Sequence, residues 1–326
     1  MPLFGDNMLT VQDANESLLS ECELLALVHV AWQNWLRIRK DLYQLLEVNN
    51  TEELINKIVD VHSCKVHEKE LKKLLQAIKQ VIKKGVDKAR TDVRELKELG
   101  VRIIPFFSQS YPRELLKYPS QGSDYIYPPL VLYSTYAQFN LNKKPIIAVV
   151  GTRKCDHKGR KCAYEIGRLI AHKDFILATG LAQGIDVEAA KGCLEAGGQV
   201  VGIRPWLLPE SLPLEAKRLL KPAVKDNLML LSERPWKLIE SDVKRLYFLR
   251  NRIIAGMAKL VIVVEAQLKG GSMHQIKLAL RRGKPVAIYK PNQGTLYWKA
   301  YKEYITEGAV SFTTLHHLET IIENAT

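Results

Sequence analysis

Ile146-Ile-Ala-Val-Val150-Gly151-Thr152-Arg153 and, after one helical run, Phe175-Ile-Leu-Ala-Thr179-Gly180-Leu-Ala-Gln-Gly184 decide the fold class. Two short apolar strands each end in glycine and hydroxyl residues just before a helix begins. In a parallel α/β sheet, that order puts flexible loops and helix N-termini at the carboxyl edge of the strands. Backbone N–H groups and positive helix ends there attract phosphate. Arg153 adds a cation that a neutral-sugar or amino-acid site does not need, so the stretch reads as the core of a phosphate-binding surface.

Outward from this stretch the alternation continues. Strands are predicted at Ile146–Val150, Phe175–Thr179, Gln199–Ile203, Leu228–Leu231, Leu260–Val264 and Val286–Tyr289, with helices near 160–172, 185–197, 211–220, 243–257 and 272–282. Alternating β and α segments of this length mean a doubly wound parallel sheet covered on both faces. A last segment adds a helix, Ala309–Phe312 and a final helix. Residues 145–326 thus form a Rossmann-like domain, and 101–144 read as a connecting segment with short strands at Val101–Pro105 and Leu130–Tyr133.

Residues 1–100 read as a smaller all-α domain. Leu24, Leu25, Trp32, Trp35, Leu36, Leu54, Ile55 and Ile58 recur at helical spacing, and the tryptophans sit among leucines as core rather than as base-stacking platforms. From Lys65 to Arg102 the pattern is amphipathic, with Leu71, Leu74, Leu75 and Ile78 opposite Lys72, Lys73, Lys79 and Lys83. A solvated face explains those lysines as well as a DNA contact does.

The charge balance narrows the partners. With 48 Lys+Arg against 35 Asp+Glu the chain carries a formal net charge of +13, which favours nucleic acid or an anionic surface. No apolar run approaches the ~18 residues of a membrane span, and the N-terminal residues lack a signal-peptide pattern. The 5 cysteines are scattered and odd in number, against a disulfide framework and in favour of a reduced, cytoplasmic chain.

Catalytic signatures are sparse. Gly180-x3-Gly184 is not the dinucleotide fingerprint, no Gly-x4-Gly-Lys-Ser/Thr loop occurs, and no Gly-x-Ser-x-Gly elbow is present. His62-x-Cys64-x2-His67 and Cys155-x-His157-x4-Cys162 lack a second ligand pair. Catalytic, cofactor and metal residues are accordingly assigned to none. Binding chemistry is richer. Lys244-Arg245-Leu246-Tyr247-Phe248-Leu249-Arg250-Asn251-Arg252 interleaves cations with rings, as a single-strand groove requires. One of Arg250 and Arg252 could instead pair with an acid such as Asp242 or Glu265 to fix the fold. A third glycine loop, Lys269-Gly270-Gly271-Ser272, follows a strand and opens a helix. The three loops then form one continuous anion-binding ledge.

In order and spacing, Gly151-Thr152-Arg153, Thr179-Gly-Leu-Ala-Gln-Gly-Ile-Asp186, Arg250-Asn-Arg-Ile-Ile-Ala-Gly256, Val263-Val-Glu-Ala266, Gly270-Gly-Ser272 and Gly308-Ala309 resemble the DNA-processing protein A (DprA/Smf) family. The resemblance covers about 145–318, and more weakly Tyr111-Pro112 and Pro129-Leu130. It implies a homodimeric single-stranded DNA-binding protein, rather than an enzyme, that protects incoming DNA and loads a RecA-type recombinase in natural transformation. Arg153 is then a phosphate contact beside Gly151 and Thr152. Gly180, Leu181, Gln183 and Gly184, with Gly270, Gly271 and Ser272, supply loop contacts. Lys244 matches a phosphate-binding lysine, Tyr247 a base-stacking phenylalanine, and Arg250, Asn251 and Arg252 the family's Arg-Asn-Arg.

This chain departs from that pattern in places. Tyr247-Phe248-Leu249 replaces Phe-Pro-x, Gln183 stands where arginine is usual, and Ala190 where histidine is common. The N-terminal helices fall where the family can carry a sterile-alpha-motif-like domain, without its glycine hairpin, and a short form lacking the C-terminal winged helix is implied. A nucleotide-sensing protein or phosphoribohydrolase-like enzyme is the alternative, with Asp186 and Glu265 as acid/base or ribose-binding groups. The Pro-Gly-Gly-x-Gly-Thr loop of those enzymes is absent, and they do not need the basic-aromatic run.

Overall fold

The structure is a computed structural model that describes residues 94–105, 108–116, 129, 131–137, 139–207, 212–219, 226–234, 243–268 and 271–326. The chain divides into two units, Met1–Leu99 and Gly100–Thr326. Of the first, residues 94–98 are helical. The remaining helices expected over 1–100, and the lysine-rich stretch up to residue 93, lie outside the described residues.

In the second unit a single sheet runs through the fold. Its strands are β1 (Arg102–Pro105), β2 (Val131–Tyr136), β3 (Ile146–Gly151), β4 (Ile176–Thr179), β5 (Gln199–Ile203), β6 (Leu228–Ser232), β7 (Leu260–Val264), β8 (Val286–Tyr289) and β9 (Val310–Phe312). The helices are α1 (His157–His172), α2 (Ile185–Glu195), α3 (Leu214–Leu219), α4 (Val243–Met257), α5 (Gly271–Arg281), α6 (Trp298–Thr306) and α7 (Leu315–Ala325). Strand order is β1-β2-β6-β5-β4-β3-β7-β8-β9. From β6 to β9 every pairing is parallel. β1 and β2 extend the β6 edge in antiparallel register, Tyr133 opposite Ser232, so the segment read as a connection contributes two strands to the sheet itself.

Strand composition follows from double coverage. Along β3, β4, β5 and β7, the alternate residues Ile146, Ala148, Val150, Ile176, Ala178, Val201, Ile203, Val261 and Val263 share one core with Ile253 and Met257 of α4 and Ile276 and Ala279 of α5. The intervening Ile147, Val149, Leu177, Val200 and Ile262 are fully buried as well. Strands buried on both faces read as unbroken apolar runs, which is why Leu-Val-Ile-Val-Val at 260–264 is legible as a central strand.

Sequential strands step one way from β3 through β4 and β5 to β6, and the other way from β7 to β9. The order therefore reverses between β3 and β7, and in open α/β sheets ligands bind in the crevice beyond the strand ends at such a switch point. α1 and α2, which follow β3 and β4, approach so closely that glycine is required at their contact. A Cβ on Gly167 would lie 2.0 Å from the Ala189 carbonyl oxygen, and one on Gly192 2.0 Å from that of Tyr164. Gly167→Ala should therefore destabilise the domain by about 1–3 kcal/mol through overpacking, seen as a lower midpoint in urea unfolding.

Candidate nucleic-acid interface

An open cleft of about 300 Å³ occupies the switch point, lined by Gly151 at the end of β3 and Thr152, Arg153 and Lys154 after it, Tyr247, Arg250 and Asn251 of α4, Gln267 in the loop after β7, and Gly271, Ser272 and Gln275 at the start of α5. Tyr247, Arg250 and Asn251 stand three and four residues apart, on one face of the helix. The two strands flanking the reversal are paired, Gly151 opposite Val264. Gly151 has no room for a side chain, since a Cβ would meet the Val264 carbonyl oxygen at 2.1 Å. The Ser272 hydroxyl donates to the Gly151 carbonyl at 3.0 Å, and the Asn251 amide donates to the Gly271 carbonyl at 3.3 Å. These bonds fix the first turn of α5 at the cleft wall, where the free N–H groups and positive dipole end of a helix favour an anion.

Beneath the cleft lies a cluster of buried charges. Arg250 is 7 % exposed and donates to the Ile203 carbonyl at 3.1 Å. Burial pushes its pKa down to about 10, against the pull of Asp186 and with the push of Arg204 and Arg153, so it stays charged at neutral pH. Arg204 is buried too and donates to the Gly180 carbonyl at 2.6 Å. Asp186 is the carboxylate facing both arginines. Burial pushes its pKa up while Arg250 and backbone N–H bonds hold it down. Over the ring of Tyr247 sit the guanidinium groups of Arg153 at 5.5 Å and Arg250 at 5.6 Å, a cation–π arrangement.

The middle glycine loop is the brace of this site rather than one of its walls. Oδ2 of Asp186 accepts from the Gly180 and Ala182 N–H groups at 3.2 and 3.4 Å, so neither is available to phosphate. Gly180 is a glycine because a Cβ there would lie 1.7 Å from Nη1 of Arg250. Leu181 is fully buried at φ 49, an uncommon conformation for a non-glycine residue. Gly184, at φ 87, packs under Thr152, and its side chain-free Cα is what lets α2 start there. Gln183 turns outward, 3.4 Å from Glu215. Of this loop only Ala182 and the following Asp186 reach the cleft.

Arg252 also departs from the sequence reading. It is fully buried and forms an ion pair with the acid Glu233, the structural alternative left open for one of the two arginines, while Asp242 lies outside the described residues. Two residues along a helix point about 200° apart, so Arg250 faces the cleft and Arg252 the interior. Gly270 and the side chain of Lys244 lie outside the described residues, although Lys244 belongs to α4. Sequence reading passed over Arg204 and Lys154. The signal for Arg204 was an arginine placed directly after an apolar strand at the same sheet edge as the glycine loops.

Glu265 does not line the cleft. It follows β7 at φ 50, its carbonyl accepts from the Thr152 N–H at 2.8 Å, and its carboxylate accepts from the Asp156 N–H at 3.1 Å. It is thus the latch between the loops after β3 and β7, while Oδ2 of Asp186 is held by backbone donors. Asp156 in turn caps α1, accepting from the Gly159 N–H at 2.8 Å. Among the described residues no group of His, Cys, Asp or Glu could hold a metal, and no helix is long and apolar enough to cross a membrane.

Two stability measurements check these assignments. Breaking the buried pair with Arg252→Ala should cost about 3–5 kcal/mol, whereas Arg153→Ala at the exposed rim should change stability by less than about 0.5 kcal/mol; thermal unfolding of both variants separates the roles. Burial, then a hydrogen bond with Asp156, pushes the Glu265 carboxyl from 4.5 up to about 7. The folded chain holds that proton where the unfolded chain has released it, so this residue's contribution to stability falls as pH rises from about 4.5 to about 7. Glu265→Gln, which keeps an acceptor for the Asp156 N–H, should flatten that part of the pH–stability curve.

The comparisons with known proteins bear on the family and the fold. The family model of DNA recombination-mediator protein A matches residues 102–325. DNA processing protein DprA of Bacillus subtilis is 31% identical over 225 residues, 67% of this chain and 72% of that protein. Its Streptococcus pneumoniae counterpart is 33% identical over 169 residues, 52% of this chain and 58% of that one. The crystal structure of the S. pneumoniae protein superposes with a TM-score of 0.63 at 22% identity, over 94% of both chains. DNA processing protein A of Helicobacter pylori, solved for its single-stranded DNA binding mode, gives 0.52 at 19% identity over 64% of this chain and 95% of that one. The chain belongs to the DNA recombination-mediator protein A (DprA/Smf) family.

Proposed function

We propose that this chain is a DNA-processing protein that binds single-stranded DNA without regard to sequence, in the cleft between the ends of β3 and β7. One observation carries the reading: two buried guanidinium groups, Arg250 and Arg204, lie together beneath an open cleft rimmed by Arg153 and Lys154, close enough to act on one another's charge. Like charges held this near repel, and a phosphate entering the cleft offsets that repulsion while accepting from the first turn of α5. The single-stranded DNA binding of the H. pylori relative supports the same choice of ligand. Protection of incoming strands, loading of a RecA-type recombinase, homodimer formation and a cytoplasmic location belong to this reading through the family.

Fluorescence anisotropy with a labelled oligothymidylate across a salt series tests it. Binding should be tighter to the single strand than to duplex and should weaken steeply with salt, since phosphate contacts release counterions. Arg153→Ala should weaken binding and flatten the log–log salt slope by about 0.7, the share of one phosphate contact on a single strand. Binding indifferent to Arg153→Ala would move the site away from the cleft, and absence of binding would contradict the function.

A further inference from the structure

The two rings at the start of α4 are not equivalent. Tyr247 already carries two guanidinium groups over its ring, at 5.5 and 5.6 Å, and the Arg250 group is anchored on the Ile203 carbonyl. A base approaching Tyr247 meets cations first. Phe248, the next residue, is 41% exposed, and the contact its ring makes is edge-on with His274, centroids 4.7 Å apart and planes at 66°. An edge contact leaves ring face uncovered.

A lone exposed apolar side chain is ordinary on a protein surface; the neighbours of Phe248 set it apart. Its chain neighbour Tyr247 lines the cleft, as does Asn251 one turn on, and His274 lies on α5 between Ser272 and Gln275, which line the opposite wall. Phe248 therefore stands at the rim where α4 and α5 meet, about 100° around the helix from Tyr247. Burial, and then the charge of Arg281, push the His274 pKa down, so at neutral pH the imidazole braces Phe248 as an uncharged ring.

We propose that Phe248, braced by His274, is a stacking station for one nucleobase of a single strand leaving the cleft, with Tyr247 serving as the platform for the phosphate-binding guanidinium groups. The division of labour puts phosphate and base on neighbouring sides of one helical turn. Stacking on a ring face tolerates any base, which suits a strand held without regard to sequence. The inference rests on the cleft being a single-stranded DNA site, and its test is chosen so that the two fail separately.

The full chain, Phe248→Ala, Phe248→Trp and Arg153→Ala are titrated by anisotropy with labelled oligothymidylate and with a strand of equal length whose sugars lack bases. Phe248→Ala should weaken oligothymidylate binding about fivefold or more, leave the base-free strand and the salt slope unchanged, and be matched by full retention in Phe248→Trp. Wild-type affinity of Phe248→Ala for oligothymidylate, with Arg153→Ala still weakened, overturns the station and leaves the cleft reading standing. An equal loss on both strands assigns the ring to shaping the fold and also overturns it. Failure of the unsubstituted chain to bind either strand removes the cleft reading and this proposal together.

Discussion

A guanidinium group taken out of water needs acceptors and a counter-charge, and the demands of Arg250 organise the carboxyl edge of the sheet. Its Nη1 donates to the end of β5, its flank fills the space that a side chain on Gly180 would occupy, and its charge faces Asp186 in the first turn of α2. One side chain from α4 thereby fixes the relation of a strand, a glycine loop and a second helix. Each of those elements has a sequence feature that makes sense only with the arginine present. Removing the guanidinium would deprive buried Asp186 of a counter-charge, and removing Asp186 would take one from both Arg250 and Arg204.

From that constraint follows a division among the helix N-termini along the edge. The start of α1 is closed by Asp156, and the loop leading into α2 turns its N–H groups onto Asp186. The first turn of α5, held open by Ser272 and Asn251, faces the cleft. Glu265, in a strained backbone position, keeps the β3 and β7 loops in register so that Arg153 and α5 address the same space. The resulting site is positive at its floor and rim and open to solvent, which suits a chain of phosphates better than an enclosed small molecule.

Much of this was legible in the sequence, for a physical reason. Leu260–Val264 and Leu228–Leu231 are apolar throughout because both faces of their strands are covered, and the bounds of α4 follow its helical periodicity. The Gly-Thr-Arg and Gly-Gly-Ser loops announce themselves as breaks between strand and helix. What could not be read depends on contacts between residues distant in the chain. Arg250 and Arg252 are the same residue type on one helix; only the positions of Ile203 and Glu233 decide which points to the cleft. The Gly180–Gly184 loop has the composition of a phosphate loop, yet Asp186, only a few residues on, consumes its donors. Likewise the pairing of β2 with β6 joins strands between which β3, β4 and β5 intervene in the chain, and no local pattern encodes it.

The most direct test of the central claim is hydrogen–deuterium exchange of the full chain with and without a short oligothymidylate. The account predicts slowed exchange in the loops following β3 and β7, at 152–155 and 266–273, and in the first half of α4. It predicts no change on the outer turns of α1 and α2. Protection confined to residues 1–93, or to the α1–α2 surface, with the switch-point loops unaffected, would contradict it.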